Sequence, residues 1–125
     1  MLSALSIIKK KVDPEGFPID KSVLMREAVK RVARGQDLVF QFGTVVFTLS
    51  RDRQEVHLYA DNAGCTLLSA TAQFMRDVWP FARGDYLVAP ILNPRVEKLA
   101  KRFGWLSMGK LASGHSLYMI RRPRT

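Results

Sequence analysis

The chain has one cysteine, Cys65, so no disulfide can form within it, and a reducing compartment fits that count. It has no apolar run near the roughly 20 residues that cross a bilayer, which excludes a transmembrane helix. Its two histidines, His57 and His115, lie far from each other and from Cys65, so no ligand spacing of the kind zinc needs is present and no metal is expected. Internal repeats and low-complexity stretches are missing. Acid is scarce at one end: residues 95–125 carry eight Lys and Arg against one Asp or Glu.

What the chain does have is 125 residues that are 47% hydrophobic, enough for one core and too few for two ordinary domains. The net charge is +9, divided as +4 over residues 1–36, −2 over 37–94 and +7 over 95–125. Charge concentrated in this way attracts phosphates or an acidic protein surface over a distance that salt limits to about 8 to 10 Å. Solvated Lys and Arg faces account for such a surplus as readily, because exposed charges contribute little. At the amino terminus, MLSALSIIKKK puts its apolar stretch before its charges, the reverse of a secretory signal, so a cytoplasmic start is expected.

Residues 12–20, VDPEGFPID, have the composition of a loop. The spacing divides the chain into an arm and linker over 1–19 and one domain over 20–125. Asp20 or Ser22 can cap a helix carried by Leu24, Ala28 and Val32, with Gly35 as its stop. From Asp37 the period becomes two. The runs 38–42, 45–49 and 56–60 predict an antiparallel meander, the last with Val56, Leu58 and Ala60 toward a core and Glu55, His57 and Tyr59 on the other face. Leu67, Leu68, Thr71, Phe74, Met75 and Val78 predict a helix that Pro80 ends. The all-apolar run 86–91 predicts a strand buried on both faces. Asn93 followed by Pro94 opens a helix over Val96, Leu99, Ala100 and Phe103 up to Gly104, and runs 106–111 and 116–120 close the chain as a hairpin. Phe74, Val88, Leu99 and Phe103 are expected in the core.

Helix, three antiparallel strands, helix, strand, helix, hairpin resembles the order of the GNAT acetyltransferases after their first strand. The segment from Asn93 to Trp105, NPRVEKLAKRFGW, is similar to the family stretch in which Asn opens a helix that ends in a basic, hydrophobic, Gly, aromatic sequence. The resemblance implies an α+β fold with a GNAT-like mixed, largely antiparallel sheet flanked by helices. Two departures bear on activity. In the family the third strand of the meander runs into a basic, glycine-rich loop that holds the pyrophosphate of acetyl-CoA, whereas Asp61-Asn62-Ala63-Gly64-Cys65-Thr66 offers one glycine, one acid and no base. Ala100 stands where the family often has a tyrosine that protonates the departing thiolate.

Small GNAT-like proteins of tailed bacteriophages are similar in pattern. That likeness implies a non-catalytic binding protein without a cofactor, virion-associated or host-interacting, working in the host cytoplasm or the virion. The alternative is an acyl-CoA-dependent N-acetyltransferase with an atypical loop. In that reading Glu55 or His57, two apart on one strand face, is the general base, and Ala63, Gly64, Cys65, Thr66 and Asn93 meet acetyl-CoA. A polar strand face is the plain explanation of the Glu55 and His57 pair, and a small buried hydrophobe that of Cys65. For a nucleic-acid or acidic-protein partner the candidates are Lys98, Lys101, Arg102, Lys110, Arg121, Arg122 and Arg124, with Trp105 and Tyr118 as stacking aromatics. No RNP, KH or zinc-finger signature accompanies them. One geometric criterion separates the two readings. Strands 56–60 and 86–91 must part to admit a pantetheine arm, and a closed sheet there favours binding alone.

Overall fold

The computed structural model describes residues 21–60 and 66–123. Helix α1 (Lys21–Ala33) leads into three strands, β1 (Asp37–Phe42), β2 (Val45–Ser50) and β3 (Glu55–Ala60). Helix α2 (Thr66–Asp77) and a 3₁₀ turn (Trp79–Phe81) follow, then β4 (Tyr86–Ile91), α3 (Pro94–Arg102), β5 (Leu106–Lys110) and β6 (Ser116–Arg121). The strands form one six-stranded sheet in the order β1-β2-β3-β4-β6-β5. All neighbours are antiparallel except β3 and β4, which run parallel. This is the mixed, largely antiparallel α+β architecture expected from the sequence.

Punctuation in the sequence has its expected effect. Gly35, at φ 71°, turns the chain out of α1, and Gly43, at φ 63°, permits the two-residue turn between Phe42 and Val45. Asn93 caps α3 by accepting a hydrogen bond from the Arg95 backbone N–H at 2.9 Å, with Pro94 at the first helical position.

One face of the sheet carries the main core. Val45, Phe47 and Leu49 of β2, Val56 of β3, Leu87, Ala89 and Ile91 of β4, and Tyr118 and Ile120 of β6 pack with Ala70 and Phe74 of α2 and Ala100 of α3. Phe74 stacks on Phe47 with centroids 4.2 Å apart and meets Phe40 edge-on at 5.3 Å. On the opposite face α1 sets Ala28 and Val32 against Val46, Val39 and Tyr59.

Three expectations require correction. Leu68 is exposed, because the buried stripe of α2 runs through Leu67, Ala70, Thr71 and Phe74, and one residue is a rotation of about 100°. Strand β4 is buried on one face only. Tyr86 is exposed and Val88 and Pro90 are partly so, since the side chains of α1 reach β1, β2 and β3 rather than β4. Phe103 is half-buried against Trp105, with ring centroids 6.3 Å apart, and only Phe74 and Leu99 of the four expected core residues are fully buried.

Candidate functional site

The two parallel strands at the centre of the sheet meet at a single register position. The other neighbours pair at more positions, six for β1 with β2, for β2 with β3 and for β4 with β6, and three, with a register shift, for β5 with β6. Between β3 and β4 the one pair is Glu55 with Val88. Glu55 is the first residue of β3, so the strands are joined where β3 begins and part towards their carboxyl ends.

Gln54 makes the junction. Its backbone carbonyl oxygen accepts from Val88 N–H at 3.0 Å, its side-chain Oε1 accepts from Arg83 N–H at 2.5 Å, and its side-chain amide donates to the Arg51 carbonyl oxygen at 3.0 Å. At φ 53° it is a non-glycine residue in the left-handed region, which reverses the chain into β3. The sequence gives no sign of this role beyond the polar run that contains Gln54.

Beside the junction, on the face of β3 away from the main core, His57 Nε2 lies 2.7 Å from Glu55 Oε1, and both side chains are partly exposed. The hydrogen bond from His57 holds the Glu55 carboxyl below its usual range, against the opposing effect of burial. Tyr59, next on that face, has its hydroxyl pushed up to about 12, first by burial and then by Asp37, with a hydrogen bond to Thr48 opposing. It stays protonated at physiological pH. Of the proposed cofactor contacts, Asn93 spends its side-chain oxygen on the α3 cap. Ala63, Gly64 and Cys65 lie outside the described residues, as does the side chain of Thr66. Ala100 is wholly buried.

The basic residues separate into groups. Lys98 and Lys101 of α3 and Lys110 of β5 line one groove of about 770 Å³ between that helix and the β5–β6 hairpin, joined there by Arg95, which the sequence reading passed over. Arg102, one residue beyond Lys101, does not line it. Arg121 is exposed near the opposite end of β6, about 17 Å from Ser116 at the rise of an antiparallel strand. Arg122 is held by Trp79 and Asp85, and Arg124 lies outside the described residues. The two aromatics expected to stack bases are engaged elsewhere. Tyr118 is 2% exposed, and the Trp105 indole N–H donates to the sulfur of Met75 at 3.4 Å. Among the described residues no group of three His, Cys, Asp or Glu could hold a metal, and no helix is long and apolar enough to cross a membrane.

The chain superposes on the microcin C7 self-immunity acetyltransferase MccE, solved in complex with acetyl-CoA and AMP, with a TM-score of 0.51. The match covers 91% of this chain and 78% of that one at 11% identity. The fold is GNAT-like. At that identity the likeness speaks for the fold alone. No family model and no curated protein matches the chain.

Proposed function

We propose that the chain is an acyl-CoA-dependent N-acetyltransferase whose cofactor enters between β3 and β4. The observation that carries this reading is the parting of those strands beyond the single pair Glu55 and Val88. A closed sheet would have left no way in. When bound, acetyl-CoA supplies an acyl group already activated as a thioester. Asn93 can offer its side-chain amide N–H groups at the start of α3, since only its oxygen is used by the cap. Ala63, Gly64, Cys65 and Thr66, the diphosphate contacts in this reading, bring no positive charge, so the diphosphate would be held more weakly than by a basic loop.

Glu55 and His57 divide the proton work. A carboxylate held below its usual range is a poor proton acceptor but a firm anchor for an imidazole. Glu55 therefore orients the ring through Nε2, which leaves His57 Nδ1 as the nitrogen to take the proton of the acceptor amine, directly or through one water. Ala100 has no proton to give at the position where the family often has tyrosine.

Release of free thiol from acetyl-CoA in the presence of a panel of amines tests this reading. His57→Ala should lower the rate by about a hundredfold or more. Thiol release no faster than the uncatalysed blank with every acceptor would remove the catalytic reading. A second reading, a binding domain for an anionic partner, is favoured by the convergence of Lys98, Lys101 and Lys110 on one groove. The assignment of residues 1–19 as an arm ahead of the domain belongs to both readings. A virion-associated role rests on sequence pattern alone.

A further inference from the structure

The groove between α3 and the β5–β6 hairpin gathers four basic side chains. Its walls carry Arg95, Lys98 and Lys101 on one side and Lys110 on the other, against the single acid Glu97. Glu97 lies 4.0 Å from Lys101. Among the described residues, Arg95, Lys98 and Lys110 have no carboxylate partner, so three positive charges face one concavity uncompensated. Packing does not require this. The residues that hold α3 on the sheet are Val96, Leu99 and Ala100, which lie on another side of the helix.

The floor is of a different character. Ile91 and Leu92, where β4 ends, and Pro94 give an apolar surface, and Ser116 adds a nearly buried hydroxyl at the base of the hairpin. The groove is open to solvent and wider than a lone ion needs, so a ligand would lie along it with one side exposed. Cations on the rim with an apolar floor match a ligand that has two or more phosphates and a flat, weakly polar body. The groove takes its described lining from β4, α3 and the β5–β6 hairpin and none from β3, which borders β4 on its other edge.

We infer that this groove binds the phosphates of a nucleotide, as a nucleoside polyphosphate or as consecutive phosphodiesters of a single strand, with Arg95, Lys98 and Lys110 as the contacts. The inference rests on the binding reading above and is independent of the acyltransferase one. It narrows the basic candidates, because Arg102 does not line the groove, Arg121 lies at the far end of β6, and Arg122 is held by Trp79.

The test uses the full chain with two probes, a fluorescein-labelled oligothymidylate and ATP, read by anisotropy and by competition across a salt series. The oligonucleotide should bind with salt-dependent affinity. Lys98→Gln with Lys110→Gln should weaken it about tenfold or more and reduce the log–log salt slope by about 0.7 for each contact removed. Both positions are exposed, so an unchanged melting temperature will show that the fold is intact. Arg121→Gln should leave binding as it was. Competition by ATP at millimolar concentration identifies a free nucleotide as the source, and a lack of competition identifies the strand. No binding of either probe, a double variant that binds like the parent, or an equal loss from Arg121→Gln would each overturn the inference.

Discussion

Arg122 holds its guanidinium carbon 5.4 Å from the centre of the Trp79 ring and donates from Nη2 to the Trp79 carbonyl oxygen at 3.1 Å. Its backbone N–H reaches the Asp85 carbonyl oxygen at 2.7 Å, and its Nε lies 3.7 Å from the Asp85 carboxylate. The residue that follows the last strand therefore fastens the end of β6 to the turn after α2. These contacts engage much of the Arg122 guanidinium, a candidate, on sequence, for contact with a nucleic-acid or acidic-protein partner.

Arg122→Gln should accordingly cost about 1 to 2 kcal/mol, the sum of a cation–π contact and a charged hydrogen bond at a partly exposed site. Arg121→Gln should change stability by less than about 0.5 kcal/mol. Urea unfolding of the two variants checks the difference, and equal midpoints would show that the Trp79 contact contributes nothing.

Phe74 is fully buried between Phe47 and Phe40, while Phe103 is half-buried at the end of α3. Phe74→Ala should cost about 3 to 5 kcal/mol. Phe103→Ala should cost under about 2 kcal/mol, because water can occupy part of the space it leaves. A Phe103 variant as unstable as the Phe74 variant would place the end of α3 in the core.

These two phenylalanines also mark how much the sequence could tell. Periodicity finds the apolar side of an element, which is why Leu99, Ala100 and Phe74 were legible, and caps find its ends, as with Asn93. It does not say whether a second layer covers that side. Val88 and Pro90 read as core because the run 86–91 is apolar throughout, yet α1 packs elsewhere. Likewise the Glu55 and His57 pair follows from period two, whereas the contact of Arg122 with Trp79 joins residues 43 positions apart and leaves no local signal. The role of Gln54 rests on its backbone carbonyl and left-handed φ together with two side-chain bonds to main-chain atoms, none of which a hydrophobic period reports.

Acid should weaken the fold through Asp52. Its carboxyl is lowered to about 2 by hydrogen bonds from Arg31 and then Ser50, with Arg31 also bound to Asp37 at 2.9 Å. The folded value is below the unfolded one, so the contribution is present above about pH 4 and is lost as the pH falls towards 2. Glu55 shifts in the same direction through His57. Asp52→Asn should flatten the pH dependence of the melting temperature in that window. An unaltered slope would show that the Arg31 contacts are not maintained in solution.

Calorimetric titration with acetyl-CoA measures most directly whether the parting of β3 and β4 is a cofactor cleft. Micromolar binding is predicted for the full chain. Acetyl-CoA itself carries a nucleoside diphosphate that the basic groove would also take, so the binding that reports the cleft is the part that persists in the Lys98→Gln, Lys110→Gln double variant. No heat of binding at millimolar acetyl-CoA would contradict the account.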